Sequence, residues 1–424
     1  MKTLEEKQKI KNSLIETRER RKNQSIKVIE LKVNCHQISK ETFKKMDFVF
    51  TQAKWIVNEM IRIGETQNFF DYNYLEHKEV THLDKDGNEI KTKLELPSIL
   101  HRGIVNQKKQ DIINESKSKK KGRKVGKLKY KKEINSIDIL TGPWLKIRDN
   151  SHITIPGFAN LKVYGLDQLK KYKEYELANA KFIRKPSGFY IHITICVPKT
   201  NSSPKKTYKE VGLDFGIKDN IITSDGEKFN CKVPESDYLK FLQKQLKRKQ
   251  KGSKRYYKLR HQIQKEYEHL SNKKTDETNK LIHYLIKNYD IIYFQDEQIS
   301  SWRKFSKGFA RNIQHSYLGR VKARLVSLEN DKSFKISKWS PTTKFCPNCG
   351  CLNRLGLDER VYHCDCGYSL DRDIHAAKNV KLFGSTKRAE CLEQASVETL
   401  TSAALELSNA SKLSRRSENE DFSL

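Results

Sequence analysis

The sequence predicts an α+β protein of more than one domain: a β-barrel-like antiparallel domain interrupted by a helical insertion, then an α/β domain carrying a small cysteine-rich insertion. Three observations predict it. Ile26 to Val33 and the short runs between Ser136 and Pro198 alternate apolar and polar residues with the two-residue period of strands, punctuated by Gly, Pro and Asn. Beyond residue 206 the pattern changes to short, wholly apolar runs separated by long helical periods, which is how buried strands of an α/β layer read. Five of the nine cysteines fall within the 21 residues from Cys346 to Cys366.

Taken in order, residues 1–25 form a charged arm, helical or disordered, because charges alternate there without an apolar face. Residues 26–205 form the β-domain, with the helical insertion at about 36–135. Its apolar residues Phe43, Met46, Phe50, Ile56 and Met60 recur at helical spacing. Between Glu65 and Leu96 the pattern loosens around a hairpin-like turn at Asp84 to Asn88. Lys117 to Lys132 carries ten basic side chains in sixteen residues and no acid, with Gly122 and Gly126 keeping it flexible, a density suited to neutralising phosphates. After a polar linker at Pro198 to Lys209, residues 206–380 form the second domain. An apolar strand ends in Asp214. Two or three basic helices span Asp237 to Tyr289, where Tyr256 and Tyr257 read as core in preference to base-stacking residues. A second apolar strand runs from Asp290 into Gln295, Asp296 and Glu297. A basic loop follows at Ser300 to Ala310, then one amphipathic helix at Ile313 to Leu328 and a strand at Phe334 to Ser340. Residues 381–424, rich in Ser, Ala and Glu, read as a disordered tail.

Lys and Arg outnumber Asp and Glu by 84 to 52, a formal net charge of +32, so an anionic polymer is the expected partner, with nucleic acid ahead of a membrane. There is no run of eighteen apolar residues, and Met1 to Asn23 carries charges in place of a hydrophobic leader core, so a cytoplasmic protein with reduced thiols is expected. In that setting the clustered cysteines point to metal. Cys346 and Cys349 form one pair closed by Gly350, Cys364 and Cys366 a second closed by Gly367, and four thiolates from two turns are the ligand set of a structural Zn²⁺ ribbon at 340–368. Cys351 is a fifth thiol beside them.

Three acidic positions far apart in sequence each stand at a strand end or a helix start: Asp214, the Gln295 to Glu297 segment, and Asp373. Such ends converge at the carboxyl edge of one sheet. Three carboxylates held together repel unless divalent cations sit among them, and two Mg²⁺ about 4 Å apart are what in-line phosphodiester cleavage uses.

This constellation resembles a RuvC-type nuclease of the RNase H-like fold. More specifically, Gly212-Leu213-Asp214-Phe215-Gly216, the basic helical hairpin around Lys251-Gly252-Ser253-Lys254, the Cys346/Cys349 to Cys364/Cys366 ribbon and Asp371-Arg372-Asp373-Ile374-His375-Ala376-Ala377 resemble the TnpB family, RNA-guided endonucleases of insertion sequences similar to miniature type V CRISPR effectors. The likeness is strongest over 206–380. It implies a wedge domain and recognition insertion upstream, a structured guide RNA as cofactor, double-stranded target DNA as partner, structural Zn²⁺, and catalytic Mg²⁺ held by Asp214 and Asp373, with Asp371 in support. The family's middle motif ends in Glu-Asp-Leu, whereas here Gln295, Asp296 and Glu297 stand, and His375 stands where the family often has Asn. Strand alternation puts Glu297 on the face of Gln295 and Asp296 on the other, so Glu297 is the expected third acid, roughly 6.6 Å further along. Two other readings accompany the endonuclease: a repressor that binds DNA under RNA guidance without cutting, and a DNA transposase, which would usually order its acids Asp, Asp, Glu.

Overall fold

The computed structural model describes residues 3–390 apart from 84–86, 140–144, 159, 200–205, 330–331, 355 and 357. The chain divides into two compact units, Met1–Ser202 and Ser203–Leu424.

In the first unit α1 (Leu4–Lys22) is an exposed helix closed by a capping box between Thr3 and Glu6, and it feeds β1 (Gln24–Val33). The insertion holds α2 (Lys40–Thr66), a hairpin of β2 (Glu79–Leu83) and β3 (Glu89–Lys93), and α3 (Ser98–Lys120). The hairpin's expected turn lies partly outside the described residues. There follow β4 (Ser136–Ile139), β5 (Lys146–Ile147), β6 (His152–Thr154), β7 (Asn160–Tyr164), β8 (Glu176–Lys185) and β9 (Gly188–Pro198). With β1 they make a seven-stranded antiparallel sheet in the order β4-β8-β9-β1-β7-β6-β5. Among the described residues no pairing joins β4 to β5, so the sheet stands open there where a barrel was expected. Helices α2 and α3 share one core with it, in which Met46, Phe50, Ile56 and Met60 pack against Leu31, Phe182 and Ile191.

The basic run of the insertion is helical at its start and takes neither helix nor strand from residue 123 to 131. Helix α3 continues through Lys120, and beyond it Asn58 of α2 grips the backbone of Lys131 with two hydrogen bonds, its Nδ2 donating to the carbonyl (3.0 Å) and its Oδ1 accepting from the amide (2.7 Å).

The second unit is built on β10 (Glu210–Phe215), β11 (Ile221–Thr223), β12 (Lys228–Phe229), β13 (Ile291–Gln295) and β14 (Ser333–Ile336), in the order β12-β11-β10-β13-β14. Strands β10, β13 and β14 are parallel, while β11 and β12 return antiparallel. Helices α4 (Asp237–Lys247) and α5 (Lys254–Asn288) precede β13; α6 (Lys307–His315) and α7 (Leu318–Val326) precede β14. One face of the sheet, with Val211, Leu213, Ile292 and Phe294, packs on α5 and α7. The other, with Ile291, Tyr293 and Ile336, packs on Val380 of a last helix, α8 (372–390). Strands β15 (Val361–His363) and β16 (Ser369–Asp371) form a small hairpin beside the cysteines.

Three expectations change here. The helix expected from Ile313 to Leu328 is two, because Ser316 takes an extended conformation, bridges Lys232, and lets the Tyr317 amide bond to the Cys231 carbonyl (2.8 Å). The basic loop at 300–310 is largely helical, as a single 3-10 stretch Ile299–Lys304 and the start of α6. Residues 381–390, expected in a disordered tail, continue α8, where Phe383 meets Phe345 and Arg388 pairs with Glu210 (2.9 Å). The rest of the expected tail, 391–424, lies outside the described residues. No helix among the described residues is long and apolar enough to cross a membrane.

Candidate metal centre and catalytic site

The thiols of Cys346, Cys349, Cys364 and Cys366 all lie within 4.8 Å of one another, and among the described residues they are the one group of three or more Cys, His, Asp or Glu side chains so arranged. Their arrangement follows from two tight turns. Gly350 and Gly367 take φ of 77° and 86°, which a side chain would disfavour, and close each turn by donating their amides to the carbonyls of Cys346 and Cys364 (2.9 Å each). The sulfurs of Cys346 and Cys366 are 3.7 Å apart and those of Cys349 and Cys364 are 3.5 Å apart. Tetrahedral zinc with bonds of about 2.3 Å requires edges of about 3.8 Å, so the four donors fit that ion. Cys351 is exposed and lies outside the group, its carbonyl accepting from the Cys346 amide.

Asp214 is set by strand geometry. Leu213 and Phe215 point into the α5/α7 core, so Asp214 between them points to the α8 face. Helix α8 crosses β10 at Gly212, where a Cβ would come within 2.1 Å of the Ala377 carbonyl oxygen, and reaches β13 at Gly384, against the Tyr293 ring. Glycine at 212 is thus a requirement of close approach. One turn before Ala377 stands Asp373, beside the carboxyl end of β10. Burial, then the Asp373 carboxylate, then that of Glu297, push the Asp214 carboxyl up to about 8, against the Phe215 amide and Arg372. Asp371 is the helix cap: its Oδ1 accepts from the amides of Asp373 (3.0 Å) and Ile374 (3.2 Å).

The middle segment departs from the expected extended strand. Strand β13 ends at Gln295, and the Glu297 amide bonds back to the Gln295 carbonyl (2.8 Å) in a three-residue turn, so the residue does not continue 6.6 Å along the strand. Lys322 of α7 holds this turn, donating to the Glu297 carbonyl and to the Asp296 carboxylate (2.6 Å each). Asp296, with Lys335 also 3.8 Å away, is ion-paired on the α7 side. Burial raises the Glu297 carboxyl, Lys322 and Lys338 oppose the rise, and Asp296 adds to it.

So Asp214, at the carboxyl end of β10, stands where its carboxyl feels the charge of both Asp373 and Glu297. His375 lies with the core: buried, it stacks on Tyr362 at 3.8 Å, and its Nε2 meets the Nδ2 of Asn379 at 3.1 Å.

Two residues of this site carried no role in the sequence. Gln295 is buried, and its Nε2 donates to the carbonyls of Ser337 (3.2 Å), Lys338 (3.2 Å) and Ser340 (3.0 Å), while its Oε1 accepts from Thr342 (3.2 Å). Asn379 of α8 donates to the carbonyls of Thr342 and Phe345 (2.7 Å each), fastening the entry of the cysteine segment to the helix that bears Asp373. An amide at the end of an otherwise apolar strand was the visible signal for Gln295. Asn379 offered none, since a polar residue in a helix period reads as solvated.

Two family models match the chain: one described as a probable transposase, over residues 192–297, and one described as a Cas12f1-like TNB domain, over residues 327–380. A Streptomyces pristinaespiralis protein, named provisionally as an RNA-guided DNA endonuclease, is 27% identical over 208 residues, 47% of this chain and 51% of its own. The TnpB-like protein L79 of Acanthamoeba polyphaga mimivirus is 28% identical over 141 residues, 31% of this chain and 27% of its own. The chain therefore spans about half the length of these curated relatives, or less. Among solved structures, a Cas12f1-sgRNA-target DNA complex is similar with a TM-score of 0.48 at 13% identity, covering 85% of this chain and 99% of that one. The two models cover the strand of Asp214 and the thiol cluster, the relatives are RNA-guided and TnpB-like by name, and over these segments the chain is similar to the TnpB-type family.

Proposed function

We propose that the protein is an RNA-guided DNA endonuclease, its second unit a RuvC-type nuclease of the RNase H-like fold that hydrolyses phosphodiesters with two Mg²⁺ at Asp214, Glu297 and Asp373. One observation carries the reading: the carboxyl at the end of a central strand of a five-stranded mixed sheet feels both the acid on the turn after its parallel neighbour and the acid in the first turn of the helix crossing both. Ions about 4 Å apart need not draw all three carboxylates as close as thiols around one zinc. When bound, the paired ions supply an activated water and charge relief for the leaving oxygen.

The chain's own residues do the positioning. Strand pairing fixes Asp214, the Asp371 cap fixes the first turn bearing Asp373, and Lys322 pins the turn bearing Glu297. The cysteine cluster is a structural Zn²⁺ site by its closed four-thiol set. In the first unit the antiparallel sheet serves as the wedge domain and the insertion of α2, α3 and the clamped basic segment as the recognition region, holding guide RNA and target DNA backbones by charge.

The test is to change Asp214, Glu297 or Asp373 singly to Ala in the protein with its co-purifying RNA. Each change abolishes cleavage of a plasmid target while RNA and DNA remain bound; Asp296→Ala, facing α7, retains most of it. Wild-type complex that binds its target but never cuts in Mg²⁺ or Mn²⁺ would replace this reading with the repressor.

A further inference from the structure

Trp339 is 80% exposed, whereas Trp55 and Trp302 pack against the two main cores. A large aromatic left in water forgoes the burial that normally stabilises it. Exposure here does not come from a loose segment. The Trp339 amide bonds to the Ser337 hydroxyl (3.2 Å), the Ser340 amide to the Ser337 carbonyl (3.2 Å), and the Thr342 amide to the Ser340 carbonyl (2.8 Å). From beneath, the buried Gln295 amide holds the carbonyls on both sides of Trp339. The ring is presented on a built turn.

Its surroundings are cationic. A cavity of about 590 Å³ exists elsewhere in the first unit, but the smaller one here, about 320 Å³, brings Trp339 together with Lys335, Lys338, Lys387, Asp296 and Gln298. Asp296 is already engaged by Lys322 and Lys335, leaving the cavity's balance positive. Lys338 Nζ stands 4.4 Å from the indole centroid, over one face of the ring. The lining also includes Asp296 and Gln298, the residues on either side of Glu297, so the platform adjoins the acidic edge. A flat π-surface ringed by ammonium groups, with Ile336 the sole aliphatic side chain of the lining, suits a base with its phosphates better than an apolar protein surface.

We propose that Trp339 is a stacking platform for an unpaired nucleotide of the DNA strand led to the acidic edge, with Lys335, Lys338 and Lys387 contacting its phosphates and Gln295 as the residue that positions the turn. The proposal rests on the endonuclease reading for the identity of the strand, and its test requires no cutting. In the RNA-loaded protein without divalent metal, the emission of Trp339, taken as the difference between wild type and Trp339→Phe, is followed on adding a single-stranded DNA oligonucleotide and an abasic one of equal length.

The base-bearing strand quenches that emission and the abasic strand does not. Trp339→Ala weakens binding of the base-bearing strand roughly tenfold, Trp339→Tyr restores most of it, and neither changes binding of the abasic strand. Equal binding of both strands by wild type and Trp339→Ala overturns the proposal. So does emission already quenched by the guide RNA and unmoved by DNA, which would assign the platform to RNA. A complex that stacks DNA on Trp339 yet never cuts leaves the platform standing and removes the nuclease reading alone.

Discussion

Gln295 occupies the position where an acid was the family expectation, and its surroundings explain why an amide suits it. Its Nε2 faces three carbonyl oxygens at once, and only a donor satisfies them. A carboxylate there would turn a set of hydrogen bonds into a set of repulsions in a buried place. Gln295→Glu is therefore expected to lower the stability of the second unit by on the order of 2–4 kcal/mol, seen as an earlier urea midpoint, without improving cleavage. Equal stability with faster cutting would show that position 295 still belongs among the metal-binding acids. Sequence parity was sufficient to separate the faces of Gln295 and Asp296, because alternation is a local property of a strand. It could not foresee the turn at Glu297, whose cause is Lys322 on another element, nor hydrogen bonds to carbonyls more than forty residues away.

At the scale of elements, the cysteine segment was the most legible part of the chain, since spacing and turn glycines specify a ligand set with little help from the rest of the fold. The four thiols singled out by pairing are the four that cluster, and the fifth is left outside. Cys349→Ser should release the metal and expose the 341–371 segment to trypsin, because metal affinity supplies much of the folding energy of so small a module. Cys351→Ser should keep full metal content. Measured zinc per chain and the proteolytic pattern check both; loss of zinc from Cys351→Ser would mean that the ligand set is different. Helix boundaries were less legible. The break at Ser316 and the continuation of α8 to residue 390 are both imposed by partners distant in sequence, Cys231 and Lys232 in one case and Tyr293 and Glu210 in the other.

For the whole molecule the informative quantity is charge. A net +32 was readable from composition, and it implies binding that weakens steeply with salt through counterion release. The structure adds where part of that charge is held. Asn58 fixes the backbone of Lys131, and the Tyr130 hydroxyl donates to Glu65 (2.9 Å), so this end of the basic run is tied to α2. Neutralising Lys127, Lys129, Lys131 and Lys132 to Gln should flatten the slope of log K against log salt for the guide RNA by roughly 3 units if all four touch phosphate. An unchanged slope would return the segment to the role of a solvated surface. The alternating strand period announced the antiparallel sheet, while its open order, decided by pairings between distant strands, was beyond any local pattern.

Helix α8 runs from the Asp373 turn past Gly212 to Gly384 and on to Arg388, and through Asn379 it also grips the entry of the cysteine segment. Asp214 and Glu297 leave the ribosome well before it. Synthesis at roughly 5–20 residues per second leaves an interval of several seconds or more in which those two acids exist without the third. During that interval the nascent chain already carries its basic first unit, while the acidic edge still lacks Asp373. On the endonuclease reading the site is thus completed last, by the segment that also holds the cysteine module in place.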